Sequence, residues 1–170
     1  MHITNFKQDL AYSRTAVGTI TNWIYNNPNV SQVVNVEQDP TYQALDIDLI
    51  VYNGAGNAQT VEIKSDRYHT TGNYFFELVS NLERGNIGCL LKCRADLLYY
   101  YFDAIHELHI FDTKAIVAWW CANIETFALR KVTTRCGDTL GHYTSLGCLV
   151  PRNRVPSNLV TIIKIGAAHD

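Results

Sequence analysis

The stretch 46–64 constrains this chain more than any other. Asp46-Ile47-Asp48-Leu49-Ile50-Val51-Tyr52 and Gln59-Thr60-Val61-Glu62-Ile63-Lys64 flank Asn53-Gly54-Ala55-Gly56-Asn57, two β-rich runs joined by a turn rich in Gly and Asn. That pattern predicts an antiparallel hairpin. Side chains alternate along a strand, so Asp46 and Asp48 are expected on one face of the first strand, and Glu62 and Lys64 on one face of the second. Four charged groups can then converge on a hairpin otherwise built from Ile, Leu and Val.

The flanking sequence supplies the rest of an α/β (α+β) domain with a mixed sheet. Leu10, Ala16, Val17, Ile20, Trp23 and Ile24 form one helical stripe over about 6–26, ended by Asn26-Asn27-Pro28-Asn29. Val30 to Glu37 reads as a strand, as does Tyr74 to Val79. Asp96 to Phe102 and His106 to Phe111 read as an antiparallel pair, followed by a helix over Thr113 to Phe127 capped by Asp112 or Thr113. From Arg130 onward the chain alternates short strand-like pieces with loops and ends in the apolar run Leu159 to Ile165. With 170 residues, 47% hydrophobic and 18% charged, one domain over 1–170 is expected. Its core would cover about 8–127, with 128–170 as a C-terminal extension packed on it.

Net charge is −2, but residues 1–83 carry four Lys/Arg against nine Asp/Glu, and residues 84–170 carry ten against seven. An acidic half able to place carboxylates around a metal is thus joined to a basic half able to meet a polyanion, although ordinary solvated faces give the same asymmetry. The five cysteines are odd in number and unevenly spaced, which argues against a disulfide framework, and Cys89-x3-Cys93 lacks zinc-ligand spacing. No apolar run is long enough for a membrane helix and the N-terminus has no signal-peptide pattern, so the expectation is a cytoplasmic protein without a membrane partner.

A carboxylate from each hairpin strand, with the Ile63 carbonyl beside them, offers hard oxygen ligands suited to Mg²⁺, and Lys64 adds a cation for phosphate. Such a set suits phosphodiester hydrolysis. The run Asp48-Leu49-Ile50-Val51, the Gly-rich turn and Val61-Glu62-Ile63-Lys64-Ser65-Asp66 resemble the PD-(D/E)XK nuclease superfamily. So do Thr71-Gly72-Asn73-Tyr74-Phe75-Phe76-Glu77 with Ser80, and Ala95 to Phe102; the resemblance spans about residues 8–112. It implies a restriction-endonuclease-like mixed β-sheet flanked by helices with an αβββαβ core. It also implies an Mg²⁺-dependent DNA endonuclease, with Mn²⁺ as substitute. In that family pattern Asp48 and Glu62 are metal ligands with the Ile63 carbonyl, and Lys64 is the catalytic lysine. No proline precedes Asp48, Asp46 competes with it, and the first helix has no glutamate, which leaves one-metal and two-metal mechanisms both open.

Glu77 is a further candidate acid, and His69 a candidate phosphate contact or proton carrier in the loop after Lys64. Arg67, Arg84, Lys92 and Arg94 are candidate contacts to duplex or branched DNA, with Arg130, Lys131 and Arg135 next. His106 and His109 suit a partly exposed strand face. Members of the superfamily often act as symmetric dimers, making the apolar 96–125 region a candidate homo-oligomer interface. The rival reading is a catalytically inactive nucleic-acid-binding or assembly protein that keeps the fold.

Overall fold

The computed structural model describes residues 2–136 and 141–165. The chain opens with strand β1 (His2–Asn5) and helix α1 (Phe6–Tyr25). The Asn5 side chain caps that helix by accepting from the backbone N–H of Lys7 at 3.0 Å. Next come β2 (Val30–Asn35), a short helix α2 (Pro40–Gln43), β3 (Leu49–Asn53) and β4 (Ala58–Ser65). Strands β5 (Asn73–Asn81) and β6 (Asn86–Ile87) precede a one-turn helix α3 (Cys89–Lys92), then β7 (Leu97–Phe102), β8 (Glu107–Asp112) and α4 (Thr113–Asn123). The chain continues through β9 (Ala128–Cys136), β10 (Gly141–Pro151) and β11 (Thr161–Lys164).

These strands form two sheets. One is six-stranded in the order β11-β8-β7-β4-β3-β2, the other five-stranded in the order β1-β9-β10-β5-β6. In the first, β2, β3 and β4 form an antiparallel meander and β7 lies parallel to β4. A parallel neighbour cannot be reached by a tight turn, so the chain must leave and return. It does so through β5, β6 and α3. Along this sheet α1, β2, β3, β4, the one-turn α3 and β7 follow one another in the expected αβββαβ order, with α2 inserted between β2 and β3 and β5–β6 inserted before α3, and the fold is a mixed α+β one.

Alternation along the strands sorts side chains between two layers. Leu49, Val61, Ile63, Tyr99 and Tyr101 pack with Ala16, Val17, Ile20 and Ile24 of α1. Leu98, Tyr100, Phe102 and Phe111 project from the opposite face and meet Tyr74 and Phe76 of β5, Cys148 and Val150 of β10, and Trp120 of α4. The second layer is largely aromatic: the Tyr74 ring lies edge-on to Tyr100 at 5.1 Å and Phe76 edge-on to Trp120 at 5.5 Å.

Several expectations are revised. The C-terminal residues are not an extension, because β10 lies between β9 and β5 and β11 forms an edge of the six-stranded sheet. Rather than short pieces, β9 and β10 are long partners paired from Gly141↔Cys136 to Leu149↔Ala128. The stretch 96–125 does not offer a continuous apolar interface either, since β7 is flanked by β4 and β8 and Trp120 is fully buried. His109 is also buried instead of sitting on a partly exposed face: the second layer covers that side of β8, and His109 Nδ1 lies 2.6 Å from the Tyr74 hydroxyl. Its Nε2 lies 3.3 Å from Glu107 Oε2. Among the described residues no helix is long and apolar enough to cross a membrane.

Burial holds His109 below its ordinary value of 6.5. As pH falls through that ordinary value the unfolded chain gains a proton that the folded chain resists, so this residue contributes stability that is lost on acidification. Urea midpoints at pH 7.5 and 5.5 should show a smaller loss for His109→Gln than for the unsubstituted chain.

Candidate active site between the sheets

Alternation along β4 commits Val61 and Ile63 to the α1 layer, so Glu62 and Lys64 project from the other face, beside Leu98 and Tyr100 in the β4–β7 register. Glu62 is buried at 4% exposure and forms an ion pair with Lys64 through Oε1. Asp48 lies just before β3. Its backbone N–H donates to the Val61 carbonyl at 2.9 Å, and its Oδ2 accepts the Ile63 N–H at 2.7 Å. The hairpin ladder therefore continues through a side chain at the point where the acids gather.

Asp46 does not share a strand face with Asp48. It occupies a turn with φ 48°, the left-handed region, and its Oδ1 meets Lys92 Nζ at 3.2 Å. Its backbone carbonyl accepts the Cys93 thiol at 3.3 Å. Its Oδ2 is buried without a hydrogen-bond partner. Asp46 nonetheless belongs to the same electrostatic group, because Lys64 and Glu62 both act on it. The structure thus gathers Asp46, Asp48, Glu62, Ile63, Lys64 and Lys92.

Burial dominates the electrostatics. It raises Asp48 to about 7, with the Glu62 carboxylate adding to the rise and Lys64 and the Ile63 N–H opposing it. Asp46 is raised by burial too, Lys64 pulling the other way. Burial alone would lower Lys64, but its acidic neighbours outweigh it and hold the ammonium well above its ordinary range, the carboxylates of Glu62 and Asp46 acting throughout and Cys89 only once its thiol ionises. The Cys89 thiol itself is pushed up to about 12 by burial, which makes it a neutral neighbour and not a nucleophile.

Lys64 opens onto a cleft of 740 Å³ between the sheets, whose walls include Asp9 and Tyr12 of α1, Arg67, Glu77, Cys89 and Arg130. Glu77 accepts the Cys89 thiol at 3.3 Å, which brings it to the edge of the group. A Cβ on Gly88 would overlap the Glu77 carbonyl, so glycine is what allows α3 to start this close to β5. Arg67 pairs with Asp9 at 3.2 Å and lies over the Tyr12 ring at 4.5 Å. Asp66 accepts the Tyr100 hydroxyl at 2.7 Å.

Three candidates do not line the cleft. His69 occupies a 3₁₀ turn, with Nδ1 buried and unpartnered and its carbonyl accepting from Arg152 at 2.8 Å. Arg84 is exposed in the β5–β6 turn, where its N–H donates to Asn81 Oδ1 at 2.9 Å. Arg94 is exposed and donates to its neighbour's carbonyl. Sequence reasoning gave no place to the Cys89–Glu77 contact or to Tyr100 with Asp66. No local spacing announces them, because the excursion through β5 and α3 creates the proximity.

Among the described residues no group of three or more His, Cys, Asp and Glu side chains forms a ready metal cage. Magnesium needs less than that, as one or two carboxylates with water and phosphate oxygens suffice. The unpartnered buried Asp46 oxygen and the burial-raised Asp48 are the kind of oxygen donors a divalent cation would satisfy, so the residues fit an ion held sparingly by the protein. Compared with protein families, curated proteins and solved structures, the chain matches none.

The folded-state rise of Asp48 has a testable sign. Between its ordinary value of 3.8 and about 7, the folded chain holds a proton that the unfolded chain releases, so stability declines as pH rises through that window. In chelator, Asp48→Asn should melt at a higher temperature than the unsubstituted chain at pH 8, and the gain should shrink at pH 5.

Proposed function

We propose that the protein is a divalent-metal-dependent DNA endonuclease, hydrolysing phosphodiester bonds at Asp48, Glu62 and Lys64. The observation that carries this reading is the convergence of buried carboxylates and one lysine on a single sheet face, with the lysine opening onto a cleft. The αβββαβ order of the six-stranded sheet and the resemblance to the PD-(D/E)XK superfamily support it.

Asp48 and Glu62 would hold Mg²⁺, or Mn²⁺ in its place, with the Ile63 carbonyl and the spare Asp46 oxygen as further donors. When bound, such an ion lowers the pKa of water and offsets charge on phosphate oxygens. Glu62 orients Lys64 through their ion pair. Lys64, kept cationic by its acidic surroundings, meets the negative charge that develops on phosphate in the transition state. Lys92 offsets the Asp46 charge from the α3 side.

Cleavage of DNA should require Mg²⁺ or Mn²⁺ and vanish in chelator, with Ca²⁺ supporting binding and little turnover. Lys64→Ala should lower the single-turnover rate on the order of 10²-fold, the scale of one lost electrostatic stabiliser, measured below the melting transition of the variant, which loss of the Glu62 partner should lower. Asp48→Asn should abolish metal-dependent cutting and Asp46→Asn should reduce it less. DNA binding without any metal-dependent cutting would instead favour an inactive binding or assembly protein, the reading that the lack of a glutamate in α1 suits.

A further inference from the structure

The walls of the cleft bear on the form in which DNA reaches Lys64. We propose that the strand enters as single-stranded DNA, threaded between the two sheets, an inference that rests on the phosphodiesterase reading above. The reacting groups are recessed: the Lys64 side chain is 34% exposed and that of Glu62 5%. Lys64 lines a cleft of 740 Å³, within the range of about 300–1,000 Å³ typical of small-ligand pockets. A duplex is stiff, with a persistence length of about 50 nm, and suits a position across the mouth of a cleft this small, whereas a flexible single strand can turn into it.

The lining also matches what a single strand offers. Phe6 of α1 and Tyr68 of the loop after β4 are large rings exposed at 44% and 41%, and both border the cleft, as do Tyr12 and Tyr143. Unstacked bases pack on such rings, whereas duplex DNA hides its base faces. Arg67 stands on one wall and Arg130, exposed on β9, on another. The acids of the same lining are engaged by protein donors: Asp9 by Arg67, Asp66 by the Tyr100 hydroxyl and the Tyr68 N–H, and Glu77 by the Cys89 thiol. Lys64 is paired with Glu62 and Arg67 with Asp9, so Arg130 is the lining cation that stands exposed to meet an entering backbone.

The test is fluorescence anisotropy on the full chain in chelator, where binding is separate from cleavage. The probes are a labelled 12-nucleotide single strand of mixed sequence and the same strand annealed to its complement. We expect the single strand to bind at least about tenfold tighter, and Phe6→Ala with Tyr68→Ala to remove about tenfold of that, the low end for one stacked base. Duplex binding should be unmoved by the same pair. Arg130→Ala should flatten the slope of log affinity against log salt by about 0.7, one phosphate contact on a single strand. Both rings are solvent-exposed, and an unchanged circular dichroism spectrum would show that the double variant is folded. Equal or tighter duplex binding, or a double variant that binds the single strand as well as the unsubstituted chain, would overturn the proposal. Mg²⁺-dependent cutting of both probes, measured separately, tells the failures apart. Cutting with duplex preference removes the threading inference alone, and single-strand preference without cutting removes the nuclease reading while the cleft remains a binding site.

Discussion

Because side chains alternate along a strand, β4 hands Val61 and Ile63 to the α1 layer and Glu62 and Lys64 to the space between the sheets, and the rest of the site follows from that division. A strand covered on both faces would ordinarily be apolar throughout. Here Glu62 is carried into the interior at 4% exposure, which is tolerable only because Lys64 is two residues away on the same face. Asp48 reinforces the same spot from the neighbouring hairpin segment by taking the Ile63 N–H, so the position of one acid is locked by the backbone that carries the others.

The gathering of acids runs against stability. Burial raises Asp46 and Asp48, and the Glu62 carboxylate adds to the rise of both; a fold selected for packing alone would place apolar residues here. The surrounding layers compensate. Rings from β5, β7, β8 and α4 interlock around Tyr74 and Trp120, and aromatic pairs of this kind contribute about 0.5–1.5 kcal/mol each beyond their burial. The aromatic layer lies directly beside the charged group, Leu98 and Tyr100 being the register partners of Glu62 and Lys64, so water exclusion at the site and packing of the core are one arrangement.

Much of the six-stranded sheet was legible in the sequence because its signals are local. The stripe of α1, the Gly-rich turn and the runs of β7 and β8 each carry their own period, and Asp48, Glu62 and Lys64 could be placed because the hairpin fixes them within twenty residues. Of the five-stranded sheet, β5 was legible as a strand, but its partners were not. Strand β9 exposes Leu129, Arg130 and Lys131 and so shows no apolar alternation, and β1 gains its place only by pairing with β9 more than a hundred residues away. Burial of His109 was missed for the same reason, since nothing in β8 reports that a second layer covers it. Asp46 was misplaced on a strand because the residues around it alternate well, while the left-handed turn it occupies has no glycine to mark it.

The route of the chain from β4 to β7 sets an order of assembly. The β2–β3–β4 meander and the β7–β8 pair close short loops, whereas joining β4 to β7 must wait for the excursion through β5, β6 and α3, and β1 can pair only after β9 has been made. Contacts between distant segments come late because loop closure opposes them. The carboxylates of the hairpin are therefore brought near one another by the earliest and most local contacts, and the walls that enclose them are the last part of the molecule to form. A chain partway through folding already carries its acids together in water, where they repel one another least, and desolvates them only when the second sheet closes over Lys64.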